Sequence, residues 1–415
     1  MQHAHDTGAG PGAPPGRLVR PGARRVLLLC GGRSEEHEVS LSSARSVLEA
    51  VGGSDRLEVV PLVIGRDGAV LGPAESARLL GVTPAGELAG DAGGGAAPGL
   101  AGTPAGPRGQ PAAEGHRGSA GAGDVGAAAA AHGDGSNGAA RVELTSRLSD
   151  AQRAFDVVFP LLHGPYGEDG SVQGLLKVMG LPFVGSDVLG SAVSMDKLTM
   201  KALFAAAGLP QVAHRGVTRH AFATDPEGAL AAAAELGTPA FVKPANLGSS
   251  IGVSRVDDPA DLAAAVASAL RYDRRVIVEA AAVGARELEV AVLGNDEPVA
   301  SGVGEVRVRA GGAAFYDYEA KYTDGHADLF VPADVPGEVA ARARALALEA
   351  FAAVDAAGLA RVDFFYLPDG SLLVNEINTI PGFTRHSMYP LLWQAAGLSY
   401  AELVERLVDL ALERR

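Results

Sequence analysis

The sequence has little cysteine, few aromatic residues and no long apolar run, and these shortages exclude whole classes of protein. One of its 415 residues, Cys30, is a cysteine, so an internal disulfide is impossible and a disulfide-stapled secreted domain is excluded. No apolar stretch approaches the ~18 residues of a transmembrane helix, and the opening stretch MQHAHDTGAGPGAPPG lacks the apolar core of a signal peptide. We expect a cytoplasmic protein without a membrane span.

Charge and hydrophobic content narrow the class further. The formal net charge of −14 would repel a phosphate backbone, so nucleic acid is not expected as a partner. A hydrophobic content of 47% over this length is enough for two or three cores and is typical of a globular enzyme. An anionic ligand would therefore be expected to arrive with a cation such as magnesium.

Lysine is also scarce, because arginine supplies most of the 35 basic residues. The lysines are Lys177, Lys197, Lys201, Lys243 and Lys321. A compact ammonium group can meet a phosphate as a point charge, which the flat guanidinium fork of arginine does not imitate freely. We therefore expect a lysine that also lies in an informative motif to bind phosphate, and Lys243 and Lys321 are such lysines.

Two stretches are too rich in glycine, proline and alanine to form a packed core: residues 1–23, which we interpret as a disordered tail, and about 85–140, an insertion that we interpret as passive chain. Around the insertion, apolar runs predict a small parallel sheet with flanking helices. The predicted strands are RRVLLLCGG, LEVVPLVIG, FDVVFPLLHG and a short fourth, LPFVGS; the predicted helices are residues 41–50 and SVQGLLKVMG, closed by Gly180.

The remaining chain predicts a second region of mixed structure. From residue 191, SAVSMDKLTMKALFAAAGLP predicts one helix, and TPAFVKPANLGSSIGVSRV predicts a strand, a glycine-rich loop and a strand. A strand pair is expected in RRVIVEAAAVGARELEVAVLG, and helices over 339–357 and 400–413.

A hairpin near the end of the chain carries the strongest chemical signal. Residues 360–367 and 371–375 predict two strands joined by a Pro-Asp-Gly turn, which brings Asp363 close to Glu376 and Asn378. Glu376 and Asn378 are two residues apart and so share a face of the strand. Magnesium takes hard oxygen ligands and is usually held by one or two carboxylates together with phosphates, so these three residues predict a metal site.

The segment KPANLGSSIG at 243–252 indicates a nucleotide pocket. It places Lys243 on a strand before a loop whose small residues, among them Ser250, let backbone N–H groups approach phosphate oxygens. It matches neither a Walker loop nor a dinucleotide fingerprint. Glu279 and Glu287 follow near the next strands, where they are expected to meet adenine and ribose.

The motifs HG-x-x-GEDG, SMDK, KP-x-x-x-GSS-x-G, EAKY, RVDFF and NEINTIPGFT, in this order, resemble the D-alanine–D-alanine ligase family of the ATP-grasp superfamily. The resemblance covers about 24–72 and 151–412 and implies an α/β fold with a three-domain ATP-grasp architecture. An N-terminal parallel-sheet (pre-ATP-grasp) domain, which binds substrate, would span 24–187. The ATP-grasp subdomains would span 188–283 and 284–415, and the latter would carry the metal site and a lid loop at 304–330.

The resemblance also implies site residues, position by position. Those implied to bind the nucleotide are Lys197, Lys243, Ser250, Glu279, Ala280, Ala282 and Glu287. Asp363, Glu376 and Asn378 match the ligands of two Mg²⁺ (or Mn²⁺) ions, and a monovalent cation is a further candidate cofactor. Those implied to act on the amino acids are Glu36, His163, Ser249, Lys321, Tyr322, Arg361, Gly382 and Ser387.

The implied reaction joins two D-alanines to D-alanyl-D-alanine through an acyl phosphate, for peptidoglycan precursor synthesis. Arg361 and the N–H of Gly382 would stabilise the tetrahedral oxyanion, and Ser387 with Lys321 would hold the second carboxylate. A homodimer is what the family suggests. Three alternatives stay open: a D-alanine–D-lactate or D-serine ligase, a non-catalytic ATP-binding protein of the same fold, and a ligase or carboxylase acting on another substrate.

Overall fold

The computed structural model describes residues 22–82, 154–308 and 327–414. Most of residues 1–23, the insertion at about 85–140 and the greater part of the expected lid loop, with Lys321 and Tyr322, lie outside the described residues. Within the described ranges, no helix combines the length and the apolar character needed to cross a membrane.

The N-terminal sheet is parallel, as predicted, with β1 between β2 and β3. Its strands are β1 (Arg24–Gly31), β2 (Leu57–Ile64) and β3 (Val157–Leu161). Their almost unbroken apolar runs are typical of parallel strands covered on both faces, and Cys30 is fully buried among them. Burial raises the pKa of the Cys30 thiol to about 12, which favours the uncharged thiol expected of a core residue.

The fourth predicted strand of this sheet, LPFVGS, is wrong as a full strand. The segment forms a single parallel bridge between Val158 and Phe183, in which Val158 N–H donates to the Pro182 carbonyl at 2.8 Å and Val184 N–H donates to the Val158 carbonyl at 2.9 Å. It goes no further because Gly185 follows with a φ of +100°, which takes the chain out of the extended conformation.

The helices of this part of the chain are α1 (His37–Val51), α2 (Pro73–Leu80), α3 (Ser171–Val178), α4 (Val188–Met195) and α5 (Lys197–Ala206). The single helix predicted from residue 191 is therefore two helices, broken at Asp196. Asp196 has an extended backbone, with φ −86° and ψ 101°, and its carboxylate accepts from Thr199 N at 2.9 Å. An aspartate that caps a helix in this way ends one helix and begins the next.

The second sheet is antiparallel, with the order β4-β7-β5-β6. Its strands are β4 (His214–Thr218), β5 (Ala240–Pro244), β6 (Ser254–Val256) and β7 (Arg275–Ala280). Helices α6 (Arg219–Thr224), α7 (Pro226–Ala234) and α8 (Leu262–Ala269) accompany it, and a 3₁₀ turn (Pro259–Asp261) precedes the last of them. The predicted glycine-rich loop is the connection between β5 and β6.

The third sheet is antiparallel, with the order β10-β9-β8-β11-β12. Its strands are β8 (Arg286–Gly294), β9 (Val299–Val308), β10 (Ala327–Phe330), β11 (Gly358–Tyr366) and β12 (Leu372–Asn378). The predicted pairing of β7 with β8 is wrong, because these strands belong to different sheets. Both are apolar and extended, and such a pattern does not identify the partner of a strand.

Helices α9 (Gly337–Ala353), α10 (Met388–Ala395) and α11 (Tyr400–Glu413) complete the described fold. An aromatic cluster ties the segment between β12 and α10 to the rest of the molecule. The ring of Phe383 lies 5.7 Å from that of Phe159, 5.9 Å from Tyr389 and 5.5 Å from Tyr400. The hydroxyl of the fully buried Tyr389 donates to the carbonyl of Val292 at 2.9 Å. This packing fixes a polar segment, residues 379–387, against the N-terminal sheet.

Two helical glycines provide a matched test of the packing. A Cβ on Gly190 would lie 2.4 Å from the carbonyl oxygen of Asp355, whereas one on Gly174 would meet nothing closer than 3.9 Å. We expect Gly190→Ala to destabilise the protein by about 1–3 kcal/mol through overpacking, and Gly174→Ala to stabilise it by up to about 1 kcal/mol through helix propensity. Urea unfolding of both variants checks this; equal effects of the same sign would contradict the packing described.

Candidate active site

Two adjoining cavities, with volumes of about 700 and 340 Å³, open between the sheets. The larger is lined by α1, the end of β12 and the segment after it; the smaller lies between β5, β7 and the β8–β11–β12 face. The residues that line both cavities are Lys197, Gly248, Ser249, Glu289, Arg361 and Glu376. A reaction between one ligand in each cavity would therefore take place among these six residues.

The predicted hairpin is present, and its register gathers polar side chains on one face. Arg361 lies opposite Asn378 and Asp363 opposite Glu376, with the register shifting after Asp363 so that Phe364 lies opposite Val374. The extra residue forms a β-bulge within the strand pair, and bulges of this kind re-aim side chains next to active sites. Strand alternation then puts the guanidinium, the two carboxylates and the amide together.

Arg361 is held by two carboxylates. It donates to both oxygens of Asp363 at 2.7 Å, and its Nε lies 3.2 Å from Glu289. Burial alone would lower the pKa of Arg361, but Asp363 and Glu289 raise it well above its ordinary value. Glu289 was not predicted as a site residue, although its position two residues after Glu287 on one strand places both side chains on the same face.

The donor set at the hairpin fits a hard divalent cation. Asp363, Glu376 and Asn378 offer carboxylate and amide oxygens, and Asp363 keeps lone pairs that the Arg361 fork does not use. Among the described residues, no three His, Cys, Asp or Glu side chains are placed to hold a metal by themselves. A cation here would complete its coordination with oxygens of water or of a ligand, as magnesium usually does in proteins.

Lys197 and Lys243 line the smaller cavity, and a third lysine, Lys201, lies behind it on the other side of Glu279. Lys197 donates to the Leu247 carbonyl at 2.8 Å, and its ammonium lies 3.9 Å from Glu376. Lys243 lies 2.6 Å from one oxygen of Glu279, and Lys201 lies 2.9 Å from the other. Lys201 received no role from the sequence, because nothing in its local pattern reveals a partner on β7.

Glu279 does not face the cavity as a free carboxylate. Burial would raise its pKa, but the charges of Lys243 and Lys201 reverse this and hold it well below its usual range. Its oxygens lie 2.6 Å from the Lys243 ammonium and 2.9 Å from the Lys201 ammonium, and a contact of this side chain with adenine stays a prediction. The neighbouring Ala280 donates its N–H to the Ala213 carbonyl at 2.9 Å, so that N–H is not available to adenine.

Other predicted nucleotide residues do line the smaller cavity. Ala282 and Glu287 line it, as do Phe241 and Phe364. Ser249 and Ser250 have φ values of 50° and 59°, a left-handed conformation that is unusual outside glycine. Backbone held in this conformation is concentrated at functional sites, and here it turns the loop between β5 and β6 toward both cavities.

Glu36 and Ser249 join distant parts of the chain at the larger cavity. Glu36 occupies the N-cap position of α1 but makes no side-chain capping bond there, and its carboxylate instead accepts a hydrogen bond from the Ser249 hydroxyl. The contact closes the space between the N-terminal sheet and the β5–β6 loop. A glutamate that leaves its helix end uncapped in order to reach a loop on another sheet is consistent with a role in the site.

His163 and Glu168 are buried beside Glu36. The His163 Nδ1 lies 3.0 Å from the carbonyl of Ile380 and 3.6 Å from Glu168. Burial would lower the pKa of His163, but Glu168 and then Glu36 raise it above its ordinary value. Burial and the charge of Glu36 likewise raise the pKa of Glu168, against the opposing effect of His163. Glu168 was missed as a site residue although it lies in the GEDG string.

Gly382 and Ser387 lie on the segment that follows the hairpin. The Ser387 hydroxyl accepts from Thr384 N at 3.1 Å and lies 2.8 Å from the Thr384 hydroxyl. A Cβ on Gly382 would come to 3.2 Å of the same hydroxyl, so glycine leaves this part of the larger cavity open. Lys321 and Tyr322 lie outside the described residues, and their roles stay predictions.

Comparisons with known proteins agree with one another. The family models described as D-ala D-ala ligase N-terminus and C-terminus match residues 25–186 and 203–409. A protein named D-alanine–D-alanine ligase from Deinococcus radiodurans is 49% identical over 396 residues, 94% of this chain and 99% of that one. One of the same name from Geobacillus kaustophilus is 43% identical, covering 94% of this chain and 95% of that one.

Solved structures give the same result for the fold. The D-alanine-D-alanine ligase of Coxiella burnetii superposes with a TM-score of 0.67 at 29% identity, over 95% of each chain. The VanG D-Ala:D-Ser ligase of Enterococcus faecalis superposes with a TM-score of 0.68 at 28% identity, over 94% of this chain and 99% of that one. The fold alone therefore does not identify the second substrate.

The buried pair of His163 and Glu168 predicts a pH dependence of stability. Because both pKa values are raised in the folded state, the folded protein holds more protons than the unfolded chain, and this stabilisation is lost as pH rises. The histidine contribution is complete below its ordinary pKa of about 6.5 and disappears as pH rises through the folded value.

We expect the difference in unfolding free energy between the wild type and the double variant His163→Gln/Glu168→Gln to fall between pH 5 and pH 9. Urea unfolding across this range measures it. A difference that grew with pH would contradict the protonation assigned to the pair.

Proposed function

The chain belongs to the D-alanine–D-alanine ligase family, and we propose that it joins two D-alanine molecules to D-alanyl-D-alanine with ATP, supplying peptidoglycan precursor synthesis. The observation that carries this proposal is the meeting of the two cavities at Lys197, Arg361 and Glu376. A nucleotide in the smaller cavity and an amino acid in the larger one would present a γ-phosphate and a carboxylate to each other at that point.

ATP would lie in the smaller cavity. Its phosphates would meet the ammonium groups of Lys197 and Lys243 and the N–H groups of the loop at Ser250, and its ribose would meet Glu287. The apolar wall formed by Phe241 and Phe364 suits the adenine ring. For the base, Ala282 remains a candidate main-chain contact, whereas Ala280 has only its carbonyl to offer.

Asp363, Glu376 and Asn378 would hold two Mg²⁺ or Mn²⁺ ions with the nucleotide phosphates. Bound cations neutralise charge on the transferring phosphoryl oxygens. The contribution of the chain itself is the rigid register of the hairpin and the Lys197 ammonium beside Glu376. A requirement for a monovalent cation stays a prediction.

The first D-alanine would bind at the inner end of the larger cavity, with its ammonium on the Glu36 carboxylate and beside His163. The hydrogen bond from Ser249 orients Glu36 for this purpose. One carboxylate oxygen of this D-alanine would attack the γ-phosphorus as the bond to the β-phosphate oxygen breaks, giving an acyl phosphate and ADP. Positioning and charge neutralisation are the main sources of acceleration in such transfers.

The amine of the second D-alanine would then attack the acyl carbon and displace inorganic phosphate. Arg361 and the N–H of Gly382 would receive the charge on the carbonyl oxygen, a role typically worth about 3–4 kcal/mol. Ser387, with Lys321, would hold the second carboxylate. A cytoplasmic location and a homodimeric assembly are parts of the same proposal, and membership of the family favours both.

Phosphate release tests the activity directly. With ATP and Mg²⁺ we expect release with D-alanine and not with L-alanine, with D-alanyl-D-alanine identified by mass. Glu376→Gln should lower turnover at least a hundredfold, because a carboxylate needed for charge neutralisation is lost. ATP binding without any release in the wild type would favour a non-catalytic ATP-binding protein instead.

The same assay identifies the second substrate. The names of the relatives that are 49% and 43% identical favour D-alanine, so D-lactate or D-serine supplied with D-alanine should give little mixed product near neutral pH. Efficient formation of a depsipeptide or of D-alanyl-D-serine would overturn this choice while leaving the ligase chemistry intact.

Glu36 provides a test of the first amino-acid site. Glu36→Gln removes the charge that pairs with the substrate ammonium, and we expect the KM for the first D-alanine to rise roughly ten- to a hundredfold, as for the loss of a charged hydrogen bond. Glu35→Gln, at an exposed neighbouring carboxylate, is the control and should be near wild type. Equal KM values for Glu36→Gln and the wild type would remove Glu36 from the site.

A further inference from the structure

We propose that Lys201, a residue buried behind the nucleotide cavity, is a positioning residue that keeps Lys243 effective as a phosphate-binding cation. Lys201 is not among the residues that line either cavity. The inference rests on the proposed binding of ATP at Lys243, and it adds a residue that acts through Glu279.

The geometry is that of a buried chain of three charges. The Lys201 ammonium lies 2.9 Å from one oxygen of Glu279, and the Lys243 ammonium lies 2.6 Å from the other. Lys201 is 1% exposed and Glu279 is 2% exposed, whereas the Lys243 side chain is 17% exposed and lines the cavity. The carboxylate thus stands between an inner lysine and an outer one.

The charge of this cluster depends on the inner lysine. Glu279 and Lys243 alone would form a neutral pair, and a phosphate approaching Lys243 would meet a carboxylate directly behind it. With Lys201 the three groups sum to one positive charge, and Glu279 serves to orient Lys243 without cancelling it. Charges in such a poorly solvated place act strongly on one another and on a ligand at the cavity wall.

A structural explanation accounts less well for the arrangement. Lysine is almost never fully buried unless it is paired, and buried ion pairs are weak evidence for stability because their desolvation cost offsets the attraction. An apolar residue at position 201 would fill the interior face of α5 without that cost. In a chain with five lysines among 35 basic residues, the burial of one here is better explained by its charge.

Lys201 has a second contact that links the cluster to the metal hairpin. Its ammonium donates to the carbonyl of Asn375 at 3.1 Å. Asn375 is the residue that the β11–β12 register skips, and it directly precedes Glu376. The same side chain therefore connects the strand that carries Glu279 with the bulge that aims Glu376.

Charge-balance variants test the proposal through binding rather than turnover. We would measure dissociation constants for ATP, ADP and adenosine by calorimetry on the full chain. Lys201→Met makes the cluster neutral, Glu279→Gln gives it two positive charges, and the double variant Lys201→Met/Glu279→Gln restores one. Lys201→Gln is a second neutral substitution that keeps a polar group near Asn375, should the methionine variant not fold.

We expect Lys201→Met to weaken ATP and ADP about tenfold or more, as the loss of a nearby unit charge predicts, and to leave adenosine within about twofold. The double variant should recover most of the ATP affinity, and Glu279→Gln alone should not weaken it. The proposal is overturned if adenosine weakens in proportion to ATP, or if the double variant binds ATP as weakly as Lys201→Met.

Lys243→Met separates this inference from the function on which it depends. If Lys243→Met binds ATP like the wild type, the assigned phosphate site is itself wrong. If Lys243→Met loses ATP while Lys201→Met keeps it, the site stands and the role of Lys201 fails.

Discussion

The register of the β11–β12 hairpin is the constraint on which the rest of the site depends. It puts Arg361, Asp363, Glu376 and Asn378 on one face, and it contains a bulge next to Glu376, which lines both cavities. A shift of one residue between β11 and β12 would put Arg361 and Asp363 on the face opposite Glu376 and Asn378. The central position of β11 in its sheet, between β8 and β12, makes such a shift costly because both of its edges are already paired.

Around this fixed centre the other groups come from elements that are far apart in the sequence. Glu36 comes from α1 in the N-terminal part and Ser249 from the loop of the second sheet, and one hydrogen bond joins them over 213 positions. Lys197 stands at the start of α5, immediately after the helix break at Asp196. The residues at the meeting point of the two cavities therefore come from strands of the third sheet, from the β5–β6 loop and from the start of α5, and a polar contact joins Glu36 of the N-terminal part to them.

Local pattern predicted the hairpin, the parallel sheet and the glycine-rich loop, because each depends on alternation, on apolar runs and on turn residues within a short stretch. Family resemblance supplied most of the site residues. Neither source revealed Lys201, Glu168 or Glu289 as parts of the site, since their importance lies in a partner on another element. The pairing of Glu279 with two lysines was missed for the same reason: its place on a strand is local information, but its two lysine partners are a property of the packed fold.

The secondary-structure errors also have physical causes. The spacing of apolar residues does not show that the backbone of a polar residue between them is extended, so the helix break at Asp196 was missed. Which apolar strands pair with one another depends on the packing of the whole sheet, so the predicted pairing of β7 with β8 was wrong. The lid, with Lys321 and Tyr322, lies largely outside the described residues, and its part in the reaction rests on resemblance.

The central claim is that a D-alanine carboxylate takes the γ-phosphoryl group where the two cavities meet. The most direct measurement uses D-alanine labelled with ¹⁸O in its carboxylate and follows the label by mass spectrometry during dipeptide synthesis. Transfer through an acyl phosphate predicts one ¹⁸O in the inorganic phosphate for each dipeptide formed. Unlabelled phosphate, or label appearing in AMP, would contradict the account.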